Sequence, residues 1–448
     1  MITLVLFGIA IAAPVGRPDS VGFVDSTEGH VRCHYAGEDA LARCVQVAGW
    51  AEEAYAAQVT GLGFRAPLAD GGRGGSDALD VYLTPEAGGA GVAWVDCDGG
   101  DPRCADPDPD DEWAAAPSYI VIDPRTSDDV FRSYVHHEFA HTLQYAADYT
   151  EPFLALWEGT AVACEHWTDP DWPTSDSDFG DYQSTPWLSA VLQDGYFLAD
   201  IGYSDESWYE YGAVTWVFYM DATHGDGRGS VGPLIWEEAG RPGATVLDAW
   251  DVISGDWRES LLAFTAERAR MGTAAGPAWS AFAGNLGLAA REGTVSRGEV
   301  LSPAWPPYPL GVSFYTLPAG SGALDVQLAG DPTSDWAVLV VTDTGWADLG
   351  PAGGPVGTDL AGTLAVVNLG PPGLVATDPL ETASFTITLA ERPADVEAPK
   401  AGCGCAVAGP VSAGPGSAEM LLVGAAMLVR RRRRGPPEAL VGPPGRVT

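Results

Sequence analysis

The stretch that most constrains this chain is "YVHHEFAHTLQY", Tyr134–Tyr145. His137 and His141 stand four residues apart. On a helix, positions i and i+4 lie one above the other, so both imidazoles can reach a single ion. Imidazole is a good zinc ligand, and two of them leave room for a third protein ligand and a water. Glu138, one residue on from His137, sits near the same face without being a ligand. It can take a proton from water attacking a carbonyl and pass it to a leaving amine. Roughly one chain in a hundred of this length would show the pattern by chance at ordinary residue usage, so the surroundings must decide. His136 points about 100° away from His137 and is predicted to be a core or surface residue.

A hydrolytic zinc site needs a third ligand from another element, and the next helical pattern, "LWEGTAVACEHW", offers Glu158. It follows His141 by 17 residues, enough for a turn and a returning helix. Pro152 suits the first turn of that helix, and Ala161 and Ala163 allow a neighbouring helix to come close. The alternative for Glu158 is an exposed helix glutamate. Glu165 lies seven residues further on, within about 20° of the same face. It is either an acceptor behind a ligand histidine or a solvated or arginine-paired carboxylate. His166 is a poor rival ligand, and His34 and His224 have no partners in sequence.

His137-Glu138-x-x-His141 followed by Glu158-Gly159-Thr160-Ala161 resembles the gluzincin metallopeptidases, thermolysin and the zinc aminopeptidases. In these a glutamate on a second helix completes the site. The resemblance covers roughly residues 30–270 and is similar in layout to secreted metallopeptidases of myxobacteria, with "HHEFAHTLQYA" and "WEGTAVACE" as hallmarks. It implies a zincin-like α+β catalytic domain with zinc held by His137, His141 and Glu158, Glu138 as general base, and a peptide or protein substrate. "YEYGAV", Tyr209–Val214, is similar to the Tyr-Glu-Lys-Gly-Ala run whose tyrosine stabilises the oxyanion. That carries the role onto Tyr209, with a packed helix tyrosine as the alternative, and Tyr211 replaces the lysine. The gap from His141 to Glu158 is slightly shorter than in better-known members, which calls for a tighter turn. The Gly-x-Met-x-Asn run by which the aminopeptidases hold a substrate amino terminus is missing, so an endopeptidase is expected over an aminopeptidase.

Charge narrows the partners. Up to Lys400 the chain has 17 basic and 59 acidic residues, a balance of −42. Such a surface repels nucleic acid and anionic lipid. Acidic loops at 96–112 and 169–181 are candidates for Ca2+, against solvated loops. Residues 1–13 carry an apolar run ending in small residues, as a signal peptide does, without its positive start. A buried strand is the alternative. At the other end a 393–417 Pro/Gly/Ala linker holds Cys403-Gly404-Cys405, followed by an apolar segment and Arg430–Arg434 within 418–434. This tail resembles the MYXO-CTERM sorting signal of myxobacterial surface proteins. The resemblance implies cutting by a sorting protease, contact with a membrane, and display on the cell surface or release. Export permits disulfides, with Cys33–Cys44 and Cys97–Cys104 as candidates and Cys164 left over.

The texture changes after residue 272. Helical patterns give way to short strand-like runs, "VSFYTL", "ALDVQL", "WAVLVV", "TLAVVNL" and "SFTITL", parted by Gly/Pro turns. A metallopeptidase domain at 20–272 and an all-β sandwich at 300–392 are therefore expected. The rival is a non-catalytic surface adhesin with a structural zinc site and a ligand-binding sandwich. Glu138 argues against it, since a closed structural site has no use for a base.

Overall fold

The computed structural model describes residues 16–87, 91–96, 114–170, 179–204, 207–271, 287–319, 324–357 and 361–391. The expected leader at 1–13, the segments 393–417 and 418–434, Cys97, Cys104 and most of both acidic loops lie outside the described residues. Among the described residues no helix is long and apolar enough to cross a membrane.

Strands β1 (Gly22–Asp25) and β2 (Val31–Tyr35) form an antiparallel pair, followed by helix α1 (Leu41–Ala54) with a π-helical continuation to Leu62. Strands β3 (Leu79–Leu83), β4 (Gly91–Val95) and β5 (Ser118–Ile122) complete a sheet of order β1-β2-β3-β5-β4. β2, β3 and β5 run parallel, and β4 lies antiparallel to β5 at the edge. Successive side chains point to opposite faces. Val81, Leu83, Ile120 and Ile122 thus enter the main core, while Tyr82, Tyr119, Val121 and Trp94 form a small cluster on the other face. A Cys33–Cys44 disulfide ties α1 to β2, and Cys164 stays a buried free thiol.

Helix α2 (Asp128–Ala147) follows β5, and α3 (Leu154–Thr168) follows α2. Twenty residues without Gly or Pro let α2 run unbroken. Phe131, Val135, Phe139 and Leu143 recur every fourth residue and bury one apolar stripe. Its other faces are buried too, although they carry His136, His137, Glu138, His141, Thr142 and Gln144. Burying that many polar groups is costly unless each finds a partner, so α2 already marks a site. Shorter helices α4 (Phe179–Ser184), α5 (Gly195–Asp200), α6 (Tyr209–Gly212) and α7 (Val214–His224) follow, then α8 (Val231–Ala239), α9 (Val246–Ser254) and α10 (Trp257–Arg270). Residues 209–224 thus form two helices broken at Ala213. α3 passes close to Ala213 and Val214: a Cβ on Gly159 would lie 3.0 Å from backbone atoms of both, so a larger residue there would push the two segments apart by a few tenths of an ångström.

The remaining strands are β6 (Gly293–Thr294), β7 (Val300–Leu301), β8 (Val312–Leu317), β9 (Leu324–Gly330), β10 (Asp335–Thr342), β11 (Gly345–Asp348), β12 (Pro355–Val356), β13 (Gly362–Gly370) and β14 (Phe385–Glu391). They form two sheets, β11-β10-β13-β8-β6 and β12-β9-β14-β7. The first lies between two layers. Leu339, Val341, Ala365 and Val367 join the helical core, while Val338, Val340, Leu364 and Val366 pack with Val326, Ile387 and Leu389 of the second sheet. This is why β10 and β13 are continuous apolar runs and do not alternate. The texture change near residue 272 suggested a boundary, yet α10 packs on β10 and β13 and the main core continues across it.

Candidate metal centre

α2 and α3 are joined by a short turn, Asp148–Phe153. The Asp148 carboxylate accepts from the backbone and hydroxyl of Thr150 at 2.8 and 2.6 Å, and the Trp157 indole donates to Glu151 O at 2.9 Å. Glu158 is thereby brought against α2. Its Oε2 lies 3.0 Å from His137 Nε2 and 3.5 Å from His141 Nε2, and the two Nε2 atoms are 3.1 Å apart. Among the described residues, this is the group of three His, Cys, Asp or Glu side chains close enough to share an ion. Tetrahedral bonds of about 2.0–2.1 Å place ligand atoms about 3.3 Å apart, a value the three separations bracket.

The outer ring nitrogens determine what the inner ones present. His137 Nδ1 donates to Glu165 Oε1 at 2.7 Å, and the other oxygen of Glu165 accepts from Ser133. His141 Nδ1 faces Gln144 Oε1 at 2.6 Å. The amide nitrogen of Gln144 donates to Trp157 O and Thr160 Oγ1 at 2.9 and 2.6 Å, so its oxygen must be the atom turned to the histidine. With both Nδ1 atoms donating, both Nε2 lone pairs point into the space beside Glu158. The donor set therefore fits a divalent cation with three protein ligands and an open position. Glu165 takes the first of its two open roles, an acceptor behind His137.

The electrostatics separate the two carboxylates next to the space. Burial disfavours a charged Glu158, but the field of His141 and the hydrogen bond with His137 win and hold its pKa well below the carboxylate range. For Glu138 burial is the largest influence and it wins, raising the carboxyl above its ordinary value despite His141, His137 and the Ala93 N–H. Glu158 thus stays ionised while Glu138 retains affinity for a proton, a division of roles suited to ligand and base. Burial opposes charge on both imidazoles, yet Glu158 and Glu165 raise His137 well above the usual histidine value, and the field of Glu158 raises His141.

The carboxylates of Glu158 and Glu165 thus favour the protonated form of His137, and the field of Glu158 favours that of His141. Cation binding is expected to release protons, and affinity should fall as pH is lowered. Titration calorimetry in two buffers of different ionisation enthalpy reads this directly. No proton release would mean that the imidazoles were already neutral.

Glu138 faces the edge strand. A Cβ on Gly91 would sit 2.8 Å from Glu138 Cγ and 3.1 Å from its Oε1, so the strand passes against the carboxylate. The Ala93 N–H donates to that carboxylate, and the Tyr145 hydroxyl donates to Ala93 O at 3.2 Å.

The structure does not bring Tyr209 to this group. Its side chain is fully buried, its hydroxyl donates to Ser189 O at 2.8 Å, and its ring packs on Tyr182 at 4.8 Å. The phenol beside the group is Tyr211, whose ring stacks on His137 at 5.8 Å and whose hydroxyl feels the Glu158 carboxylate. Burial and the nearby carboxylates Glu158, Glu210 and Glu138 raise its pKa, so it is a donor and not a phenolate. Two residues along a helix is a rotation of about 200°, which is why the motif alignment selected the wrong face. His136 is buried with its pKa lowered to about 3 by burial and Arg132, and it stands 3.9 Å from Glu53, away from the group. His166 packs on Phe218. Glu210 accepts from Gly195 N at 2.7 Å, and burial pushes it up to about 8.

Sequence reasoning missed Gln144, Ser133, Gly91 and Ala93. Gln144, three residues after His141 and on its face, carries a local signal. Gly91 and Ala93 carry none, since nothing in "GVAWV" states which helix the strand will meet.

Compared with known proteins, the chain matches no family model, no curated protein and no solved structure.

Proposed function

We propose that the chain is a zinc-dependent peptidase, an endopeptidase, in which His137, His141 and Glu158 hold the metal and Glu138 is the general base. The observation that carries this reading is Glu138, a buried carboxylate beside three converging ligand atoms and not one of them. A structural zinc site is closed by four protein ligands, so three ligands and an adjacent base favour hydrolysis over an adhesin. Two imidazoles and a carboxylate suit zinc among the divalent metals. When bound, zinc acts as a Lewis acid toward a carbonyl oxygen and lowers the pKa of water.

The chain's residues do the rest. Glu138 takes the proton of the attacking water and hands it to the leaving amine. The phenol of Tyr211 donates to the developing oxyanion, the role first expected of Tyr209. β4 favours an extended peptide as substrate: an edge strand presents backbone groups to which a peptide can add as another strand. Export, surface display through the C-terminal tail, the sorting protease and Ca2+ in the acidic loops remain part of the proposal on sequence grounds alone.

The test is metal content with hydrolysis of casein by the full chain, where one zinc and chelator-sensitive cleavage are expected. No cleavage with zinc bound would favour the adhesin. Tyr211→Phe and Tyr209→Phe then divide the tyrosines. Tyr211→Phe should lower kcat by about 100- to 1,000-fold with little change in KM. Tyr209→Phe should leave kcat alone and cost about 1–3 kcal/mol of stability, because Ser189 O loses its buried donor. The reverse pattern would return the role to Tyr209.

A further inference from the structure

The face of the first sheet turned away from α2 carries a buried ionic cluster that the proposed chemistry does not use. Three aspartates from separate parts of the chain meet there: Asp70, from the loop after α1; Asp80, on β3; and Asp96, just beyond β4. Each has one oxygen satisfied nearby. Gly72 N donates to Asp70 Oδ1 at 2.9 Å, His34 Nε2 lies 2.8 Å from Asp80 Oδ1, and Arg73 donates to Asp96 Oδ1 at 2.5 Å. The three remaining Oδ2 atoms converge on one guanidinium, that of Arg17 in the segment before β1. Arg17 also donates to Tyr82 OH at 3.3 Å and lies over the Tyr119 ring at 5.2 Å. Burial opposes its charge, but hydrogen bonds with Asp96 and Tyr82 and the fields of Asp80 and Asp96 more than offset that.

We propose that Arg17 is a positioning residue for the metal centre, acting through β4. The strand has two working faces. Trp94, and Asp96 just past the strand's end, share the parity that turns toward the Arg17 cluster, whereas Gly91 and Ala93 turn toward Glu138. Among the described residues β4 has only β5 as a strand neighbour, at the edge of the sheet. The Asp96–Arg17–Asp80 link supplies a restraint from below by tying the end of β4 to β3. A planar fork can engage three carboxylates at once, which a lysine ammonium on a flexible stem does not reproduce. As a statement about catalysis, the proposal rests on the peptidase reading. As a statement about where β4 is held, it does not.

Two variants of the full chain test it by hydrogen exchange. Arg17→Lys keeps the charge and loses the fork, and Asp96→Asn weakens the ties of both Arg17 and Arg73 to the end of β4. Both should speed exchange across Gly91–Asp96 by about 10-fold or more and leave α2 amides unchanged. Both should also lower kcat for peptide hydrolysis at unchanged zinc content and KM. Unchanged exchange in β4 of either folded variant would overturn the proposal. Faster exchange with wild-type kcat would likewise overturn it, by showing that β4 moves without consequence for Glu138. If the wild type hydrolyses nothing, the peptidase reading fails, while the exchange result still decides whether Arg17 holds β4.

Discussion

Glu138→Gln is expected to lower peptide hydrolysis by about 100- to 10,000-fold while one zinc per chain stays bound. The expectation follows from geometry that separates base from ligands. The ligand atoms of His137, His141 and Glu158 lie 3.0–3.5 Å from one another, and Glu138 is outside that set. A glutamine fills the same volume and still accepts from the Ala93 N–H, so the fold has little reason to respond. It lacks only the capacity to take a proton. Glu138 holds that capacity because burial raises its pKa above the ordinary carboxylate value. Metal analysis beside a peptide assay checks the result, and full activity in this variant would refute the mechanism.

Glu158→Ala should instead remove the metal. Structural zinc sites bind with about 10–16 kcal/mol shared among four ligands, or roughly 2.5–4 kcal/mol each, which is about 70- to 1,000-fold in affinity. Hydrolysis at limiting zinc should disappear accordingly. Glu165→Gln provides the graded control. It leaves all three ligands and alters only the acceptor behind His137, so a smaller loss of about 10- to 100-fold is expected. Equal losses for the two would mean that Glu158 is no closer to the metal than Glu165. Zinc titration against a competing chelator measures both.

Much of this centre is legible locally because it is built on helices. The spacing of His137 and His141 states their common face, and seven residues from Glu158 to Glu165 state another. The helical period therefore carries both the ligand set and the carboxylate behind it. The tyrosine was not legible in the same way. Tyr209 and Tyr211 both belong to a four-residue helix, and which one faces α2 depends on how α6 is rotated against α3. That rotation is set by the close approach at Gly159 and by the burial of Tyr209 against Tyr182. The β-rich part shows the same limit. Its strands are visible as apolar runs, but whether a run is covered on one side or two depends on α10, which is remote in sequence.

The sequence by itself determined the spacing of His137 and His141, the neighbouring Glu138, the strand-rich second half and the strong negative charge. Each depends on residues within a few turns of helix or a few positions of strand, where chain geometry is periodic. Only the tertiary structure decided that Tyr211 faces the centre, that β4 passes against Glu138 through Gly91 and Ala93, and that Arg17 gathers three distant aspartates. These are contacts between segments tens of residues apart. Their geometry is set by which faces the whole chain buries together, and no local period encodes that.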